Sequence, residues 1–519
     1  MSALLQQRLA WMRAEGVGAT LKGIRRGIEK EGLRVGQNGR LSHAPHPQAL
    51  GSTLTHSYIT TDYAESLLEF ITPALAEPEQ VLEFLQDLHR FSYQHLGQEV
   101  VWNASMPCYL AGEQDIPIAQ YGRSNIGQMK SIYRQGLAYR YGKIMQTIAG
   151  IHYNMSLPQE FWPVYQRMTG MEGSLQEVQS AGYFSLIRNF RRHFWLLLYL
   201  FGASPAVSSS FLARNAFGLD ELGGQTLVAP NGTSLRMSDI GYSNNAQSSL
   251  NICYNKLSTY VESLQHAVRT PYPAYSHIGT KVDGEYRQLN TNILQIENEY
   301  YSEIRPKRTT RAGEKPLQAL ASRGVEYVEV RCLDINPFMP VGIDAAQMRF
   351  LDAFLVFCLL SSDEDIGRLE CERLAYNRKL VVREGRNPQL RLVEEEGMVS
   401  VANAGQRLLD QVMQVAQLLD EHQGGSAYMN AVVAESAKLI QPELTPSAQV
   451  LAGIELEGDY ASWALKISSQ QREALLAQPL DAEREALFMA ESQASLQAQA
   501  EQEAKDELSL DEFLQAYFR

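Results

Sequence analysis

The octet Gly27–Arg34, "GIEKEGLR", sets Glu29 and Glu31 two residues apart among Arg25, Arg26, Lys30 and Arg34. As a strand, its period of two sends both carboxylates to one face of a sheet. Neighbouring anions repel and raise one another's pKa, so such a pair either lies in water or meets a cation. Taken alone, the octet reads best as a solvated strand with cross-strand ion pairs. Other segments shift that balance.

Three of them repeat the pattern. "GVEYVEVRCLDINP" (324–337) alternates so that Glu329 and Arg331 share one face while Val328, Val330 and Cys332 share the other. "GIHYNMSLP" (150–158) sets His152, Asn154 and Ser156 against Tyr153, Met155 and Leu157. "ITTDYAESLLEFITP" (59–73) carries Asp62, Glu65 and Glu69 in a segment that reads as a strand at both ends with a kink between. A merely solvated face favours Thr, Lys and Gln, whereas this one collects Glu, Asp, His, Asn and Arg. Carboxylates and an imidazole drawn to one concave face need compensation, because an uncompensated buried charge costs several kcal/mol. Oxygen-rich sites suit Mg²⁺ or Mn²⁺, and one His does not force zinc. For His152 alone a satisfied structural histidine is the simpler reading, and for Glu329 an ion pair with Arg331 or another base.

A second constellation is basic. "SIYRQGLAYRYG" (131–142) supplies Tyr133, Arg134 and Arg140; "TSLRMSDIGY" (233–242) supplies Arg236 and Tyr242; "ENEYYSEIRPKRTTR" (297–311) supplies Tyr301, Arg305, Lys307, Arg308 and Arg311. Arginine offers carboxylate or phosphate a planar fork of donors, which makes these residues anion clamps. Arg140 and Arg311 are expected at the surface. Metal-type carboxylates beside basic clamps imply a polyphosphate substrate.

The chain has 519 residues, 45% hydrophobic and 20% charged, with a net charge of −13. That balance argues against nucleic acid or an anionic membrane as the main partner. "FWLLLYLFGA" (194–203) is too short for a bilayer span and fits a buried helix. The first residues lack the pattern of a signal peptide. Five scattered cysteines without C-x-x-C spacing suggest reduced thiols and a cytoplasmic location. There is no P-loop or G-x-G-x-x-G after a strand.

Up to about Asp344 the chain mixes strands, turns and helices, which defines a catalytic region at 1–344. From Ala345 to 519 it reads as a mainly helical C-terminal lobe packed on that region. "AAQMRFLDAFLVFCLL" (345–360) is a buried helix, Ser361 to about Val399 an irregular polar stretch, and "GQRLLDQVMQVAQLLDEH" (405–422) an amphipathic helix. The Ala- and Glu-rich tail from about Leu480 is expected to be a solvated helix closing the lobe.

"LKGIRRGIEKEGLRV", "ITTDYAESLLEFITP", "SMPCY", "MQTIAGIHYNMSLP", "SAGYFSLIRNF", "LFGASPAV", "TSLRMSDIGY", "LQIENEYYSEIRPKR" and "YVEVRCLDINPF" occur in the order in which the proteobacterial glutamate-cysteine ligase family carries similar motifs. The chain resembles that family over residues 20–345 and more loosely beyond. The resemblance implies an α+β fold, with a glutamine-synthetase-like curled antiparallel sheet forming a funnel-shaped active site, surrounded by helices. It also implies ATP-dependent joining of L-glutamate and L-cysteine through a γ-glutamyl phosphate, the first step of glutathione synthesis.

Carried over residue by residue, the resemblance makes Glu29, Glu31, Asp62, Glu69, His152 and Glu329 ligands of Mg²⁺, with Mn²⁺ as the alternative. Arg331 and Arg134 become catalytic clamps near the transferring phosphate. ATP is the co-substrate, attended by Arg134, Asn154, Lys307 and Arg308. Tyr133, Leu137 and His152 line the glutamate side, and Arg236, Tyr242, Tyr301 and Tyr63 the cysteine side. Tyr63 departs from the Phe expected there, which makes the thiol pocket more polar. The partners are small molecules only, without nucleic acid or membrane, and the protein is expected to be a monomer. The length leaves no room for the ATP-grasp domain of bifunctional glutathione-making enzymes. Two other readings remain: a glutamate ligase with a different amine acceptor, and a non-catalytic metal–nucleotide-binding regulator.

Overall fold

The computed structural model describes residues 3–212, 218–223, 225–241, 250, 252–311 and 313–519. Its centre is an antiparallel sheet of seven strands: β1 (Arg25–Val35), β2 (Ile59–Thr61), β3 (Leu67–Ile71), β4 (Val100–Val101), β5 (Ile151–Ser156), β6 (Ile304–Lys307) and β7 (Tyr327–Leu333). They lie in the order β6–β7–β5–β1–β3–β2, with β4 pairing the end of β1. The segment 59–73 does break into two strands around a turn, closed where Leu67 N donates to the Ala64 carbonyl at 2.9 Å.

Register fixes which side chains meet. Glu29 pairs with His152 and Glu31 with Glu69, while Glu329 lies between Asn154 and Arg305. One face therefore carries Glu29, Glu31, Glu69, His152, Asn154, Glu329, Arg331, Arg305 and Lys307. The other carries Ile28, Phe70, Tyr153, Met155, Val328 and Val330, all fully buried. That apolar face holds the sheet against the Pro78–His95 and Ala345–Ser361 helices, each buried aliphatic side chain contributing about 1.5–3 kcal/mol. β1 is thus covered on both sides, and the solvated-strand reading of "GIEKEGLR" is set aside: Glu31 is 5% exposed.

Two cations of β1 turn to the apolar face. Arg26 meets Asp352 of the Ala345–Ser361 helix at 2.8 Å, and the Tyr153 hydroxyl donates to the same carboxylate at 2.7 Å. Lys30 reaches His89 at 3.1 Å, and burial pulls its pKa down to about 7.

The hydrophobic core runs without interruption from the N-terminal helix to Phe488 and crosses residue 344. The helices expected at 345–360 and 405–422 are present as Ala345–Ser361 and Val401–Gln423. Two expectations need correction. The stretch after Ser361 is not irregular: it contains the Arg368–Glu384 helix and a hairpin of Arg391–Glu394 with Gly397–Ser400. That helix has almost no apolar stripe, and it is held by tertiary ion pairs such as Arg192–Glu370 at 2.7 Å and Arg378–Glu303 at 2.8 Å. The tail does not merely close the lobe. The Ala482–Ala504 helix straps back over the N-terminal region, where Ser52 N donates to Ser495 Oγ at 3.0 Å and Arg123 N to Glu503 at 2.8 Å.

Candidate active site

The polar face opens on a cavity of about 350 Å³. Its far wall is the Asn125–Tyr141 helix, started by Ser124, whose hydroxyl accepts from Gly127 N. Lys130, Tyr133, Arg134, Leu137 and Tyr141 recur at helical spacing and form the stripe that faces the sheet across the cavity. Between the walls lie Glu29, Glu31, Asp62, Tyr63, Glu69, His152, Tyr301, Arg305, Lys307, Glu329 and Arg331.

Within this wall His152 is the hub. Its Nδ1 lies 2.9 Å from Glu29 and 3.9 Å from Glu329, and its Nε2 lies 3.9 Å from Glu31. One ligand atom from each of Glu29, His152 and Glu329 can be chosen so that all lie within 4.8 Å of one another. Glu329 is bracketed by Lys307 and Arg331, each at 3.2 Å. Burial works against its charge, yet these two cations hold its carboxyl well below the usual range. Glu29 is likewise held low, against burial and the repulsion of Glu329, by His152 and Lys307.

The other half of the cluster lacks such compensation. Burial together with Asp62 pushes the Glu31 carboxyl up, even though Gly150 N donates to it at 2.7 Å. Glu69 is driven well above its ordinary value by burial and by Glu29, Asp62 and Glu31. A set of hard oxygen donors with one imidazole, part of it carrying unneutralised charge, fits Mg²⁺ or Mn²⁺.

Other expected residues fall at distinct places. Arg134 stacks on the Tyr121 ring at 4.5 Å and donates to the Asp62 carbonyl, within 4.0 Å of the Asp62 carboxylate. Asn154 does not line the cavity; it donates to Glu29 at 3.0 Å and so orients that carboxylate. Arg236 is 1% exposed and stands behind the wall, donating to the Arg331 carbonyl at 2.8 Å. Tyr301 lines the cavity and donates to the Met237 sulfur at 3.1 Å. Tyr242 lies outside the described residues. Arg308 opens onto a second cavity of about 370 Å³, which shares Asn298, Arg305 and Lys307 with the first and is otherwise walled by Tyr260, Leu264, Pro306, Leu317, Leu320 and Tyr327 among others.

The surface placement expected for Arg140 is corrected. Its side chain is fully buried against Glu299 at 3.0 Å and over the Tyr275 ring, because it sits one helical turn beyond Leu137 at the base of the same helix. Arg311 is exposed. The sequence reading overlooked Lys130, and it counted Arg305 among the anion clamps without assigning it to a particular substrate. Both had a signal, since Lys130 precedes Arg134 by one helical turn and Arg305 shares the β6 face with Lys307.

Oxygen donors on one sheet face, flanked by basic clamps, are the kinds of group that metal-assisted phosphoryl chemistry uses. Within that class the match is specific: residues 9–381 fit the family model described as glutamate-cysteine ligase, and the chain belongs to that family. It is 53% identical over 518 residues to the glutamate–cysteine ligase of Pseudomonas putida, spanning 100% of this chain and 98% of that one. It is 52% identical over 522 residues to that of Azotobacter vinelandii, with 100% and 98% covered. A crystal structure of glutamate–cysteine ligase from Francisella tularensis in complex with AMP superposes with a TM-score of 0.90 at 36% identity, covering 96% of this chain and 97% of that one. The fold is accordingly α+β, and among the described residues no helix is long and apolar enough to cross a membrane.

Proposed function

We propose that this protein joins the γ-carboxylate of L-glutamate to the amine of L-cysteine, converting ATP to ADP and phosphate and forming γ-L-glutamyl-L-cysteine, the first step of glutathione synthesis. The observation that carries this reading is the convergence of Glu29, Glu31, Glu69, His152 and Glu329, from four segments, on one cavity wall beside Arg331 and Lys307. Family membership and the AMP complex of the Francisella relative support it.

A carboxylate is a poor acyl donor because its leaving group would be oxide. In the proposed sequence a γ-carboxylate oxygen of glutamate first attacks the γ-phosphorus of ATP, and ADP departs. The cysteine nitrogen then attacks the acyl carbon of the γ-glutamyl phosphate, phosphate leaves, and the proton lost by the amine goes to the phosphate or to solvent.

Glu29, Glu31, Asp62, Glu69, His152 and Glu329 would hold magnesium, or manganese in its place. When bound, the metal neutralises the phosphate oxygens and polarises the transferring group. Arg331 and Lys307 are free to take phosphate oxygens on the sides not given to Glu329, with Arg305 beside them. The second cavity, where Tyr260, Leu264, Leu317, Leu320 and Tyr327 stand among the polar groups Glu297, Arg308, Thr309 and Thr310, suits a purine. Arg134 reaches in from the opposite wall toward the group in transfer and the amino-acid carboxylate. Tyr133 and Leu137 bound the glutamate side. Tyr63 and Tyr301, with Arg236 behind, bound the acceptor side, and Tyr242 belongs to it by family resemblance. The protein acts as a cytoplasmic monomer in this reading, and residues 1–344 carry the chemistry while 345–519 brace the sheet.

The test is a coupled assay for ADP with each amino acid omitted in turn. Release that needs both glutamate and cysteine supports the reading. Equal release with another amine in place of cysteine points to a different acceptor, and no release at all to a non-catalytic role.

A further inference from the structure

Leu510, Phe513, Leu514 and Tyr517 recur at i, i+3, i+4 and i+7, an apolar stripe on the Leu510–Phe518 helix, which opens on a Ser509–Glu512 capping box. Such a stripe has to be buried against another element. Here the other element is the Asn125–Tyr141 helix, the far wall of the acidic cavity. Beside the stripe that faces the cavity it carries a second one, Ile126, Met129, Ile132 and Tyr133, and these enclose Leu514 together with Leu289 and Ile296 in a small apolar cluster distinct from the main core.

Two members of that cluster, Tyr133 and Ile296, also line the cavity. Polar contacts seat the same wall. At its start Asn125 N donates to the Asp506 carboxylate, an anion favoured at a helix N-terminus, and Asn125 Nδ2 donates to the Leu508 carbonyl at 2.8 Å. Behind it, Lys281 at 2.8 Å and the Tyr286 hydroxyl at 2.6 Å donate to Asp511. Gln295, fully buried, donates to the Tyr133 carbonyl at 3.2 Å and accepts from Leu289 N at 3.0 Å.

We infer that Leu514 is a positioning residue for the reaction: from behind the wall it sets where Tyr133 stands, and so how well the glutamate side of the cavity is formed. The inference rests on the ligase reading above and extends it to a residue that touches no substrate. Arg305, Lys307 and Arg236 stand on other elements, β6 and the Leu235–Met237 turn. Arg134 shares the helix but is held independently, by the Asp62 carbonyl and the Tyr121 ring. A shift of Tyr133 therefore falls on glutamate first, and misplacement of a positioning group by about 1 Å can cost up to about a hundredfold.

The experiment compares Leu514→Ala, which opens a void against Met129, with Leu514→Met, which refills it. In Leu514→Ala the KM for glutamate should rise about tenfold while kcat and the KM values for ATP and cysteine stay within about twofold, and Leu514→Met should restore the parent value. Hydrogen exchange reads the same coupling without turnover: amides of residues 125–141 should exchange faster in Leu514→Ala, and those of β1 at the parent rate. Unchanged kinetics and exchange overturn the inference. So does a fall in kcat with every KM unmoved and a lower melting temperature, which reports only lost folded enzyme, and so does a change confined to the ATP or cysteine KM. If the parent releases no ADP that depends on glutamate and cysteine, the ligase reading falls, and the exchange over 125–141 alone decides whether Leu514 holds the wall.

Discussion

Glu31 and Glu69 stand directly opposite each other across the β1–β3 pair, two carboxylates on one wall with no cation within 3.5 Å of either among the described residues. Like charges so placed destabilise a sheet. A group whose pKa is raised on folding costs stability as pH climbs past its unfolded value, so at neutral pH this pair weakens the metal-free fold. Glu69→Gln should therefore stabilise the metal-free protein, by about 1 kcal/mol, while losing activity. Thermal melts in EDTA and in Mg²⁺ check this: the parent should gain more from Mg²⁺ than the variant does. Equal gains would mean that Glu69 takes no part in holding metal.

The histidine that anchors the C-terminal strap should set an acid limit. His56 is buried, and its Nδ1 accepts from the N–H groups of Tyr58 at 3.0 Å and Ile59 at 2.9 Å, with Ser492 of the strap beside its Nε2. Burial pulls its pKa down to about 4, against about 6.5 in an unfolded chain. Between those values the unfolded state binds the proton first. Stability is complete above pH 6.5, falls as pH drops toward 4, and levels below, a loss of about 3 kcal/mol for this group. Urea unfolding from pH 7 to pH 4 should show a shallower fall for His56→Asn, which retains an acceptor without the titration. Parallel curves would contradict this.

Much of the site was legible in the sequence because a period of two is hard to disguise. Glu29 and Glu31, His152 and Asn154, and Glu329 and Arg331 each declare a polar face in a few residues, and together they specify the wall. What escaped has no such local signature. The Arg368–Glu384 helix is charged on nearly every side, and its support comes from Arg192, Glu303 and Asp239, distant in sequence. Arg140 looks like any helical arginine until Glu299 is brought under it. The second cavity is assembled from the Leu257–Arg269 and Pro316–Arg323 helices against β6, and its walls mix core residues such as Leu264 and Leu317 with loop residues such as Thr309 and Thr310 that carry no signal in their own segments.

The brace between sheet and lobe is a buried ion pair. Arg26 and Asp352 are 1% and 0% exposed, with Tyr153 and Tyr428 on the same carboxylate. Removing one partner strands the other charge in the core, so Asp352→Asn should cost about 3–5 kcal/mol. The double change Arg26→Met with Asp352→Leu should cost markedly less. Denaturant midpoints measure both, and a single variant within about 1 kcal/mol of the parent would show that the pair is dispensable.

Arg236 is the residue proposed to serve the acceptor side. If its guanidinium serves the cysteine carboxylate, Arg236→Ala should raise the cysteine KM roughly ten- to a hundredfold and leave the glutamate KM nearly unchanged. Because Arg236 also holds the Arg331 carbonyl, a modest fall in kcat should accompany it. A change confined to the glutamate or ATP constants would put this arginine in another subsite.

The central claim is that the acidic wall serves phosphorylation of a carboxylate before amide formation. Its most direct test uses glutamate carrying ¹⁸O in both γ-carboxylate oxygens, with ATP, Mg²⁺ and cysteine, and mass analysis of the phosphate released. One oxygen passes from the γ-carboxylate to phosphorus and leaves with it when the amine displaces phosphate. The account predicts one ¹⁸O atom in each phosphate and one retained in the γ-amide carbonyl. Phosphate free of ¹⁸O, with product formed, would contradict it.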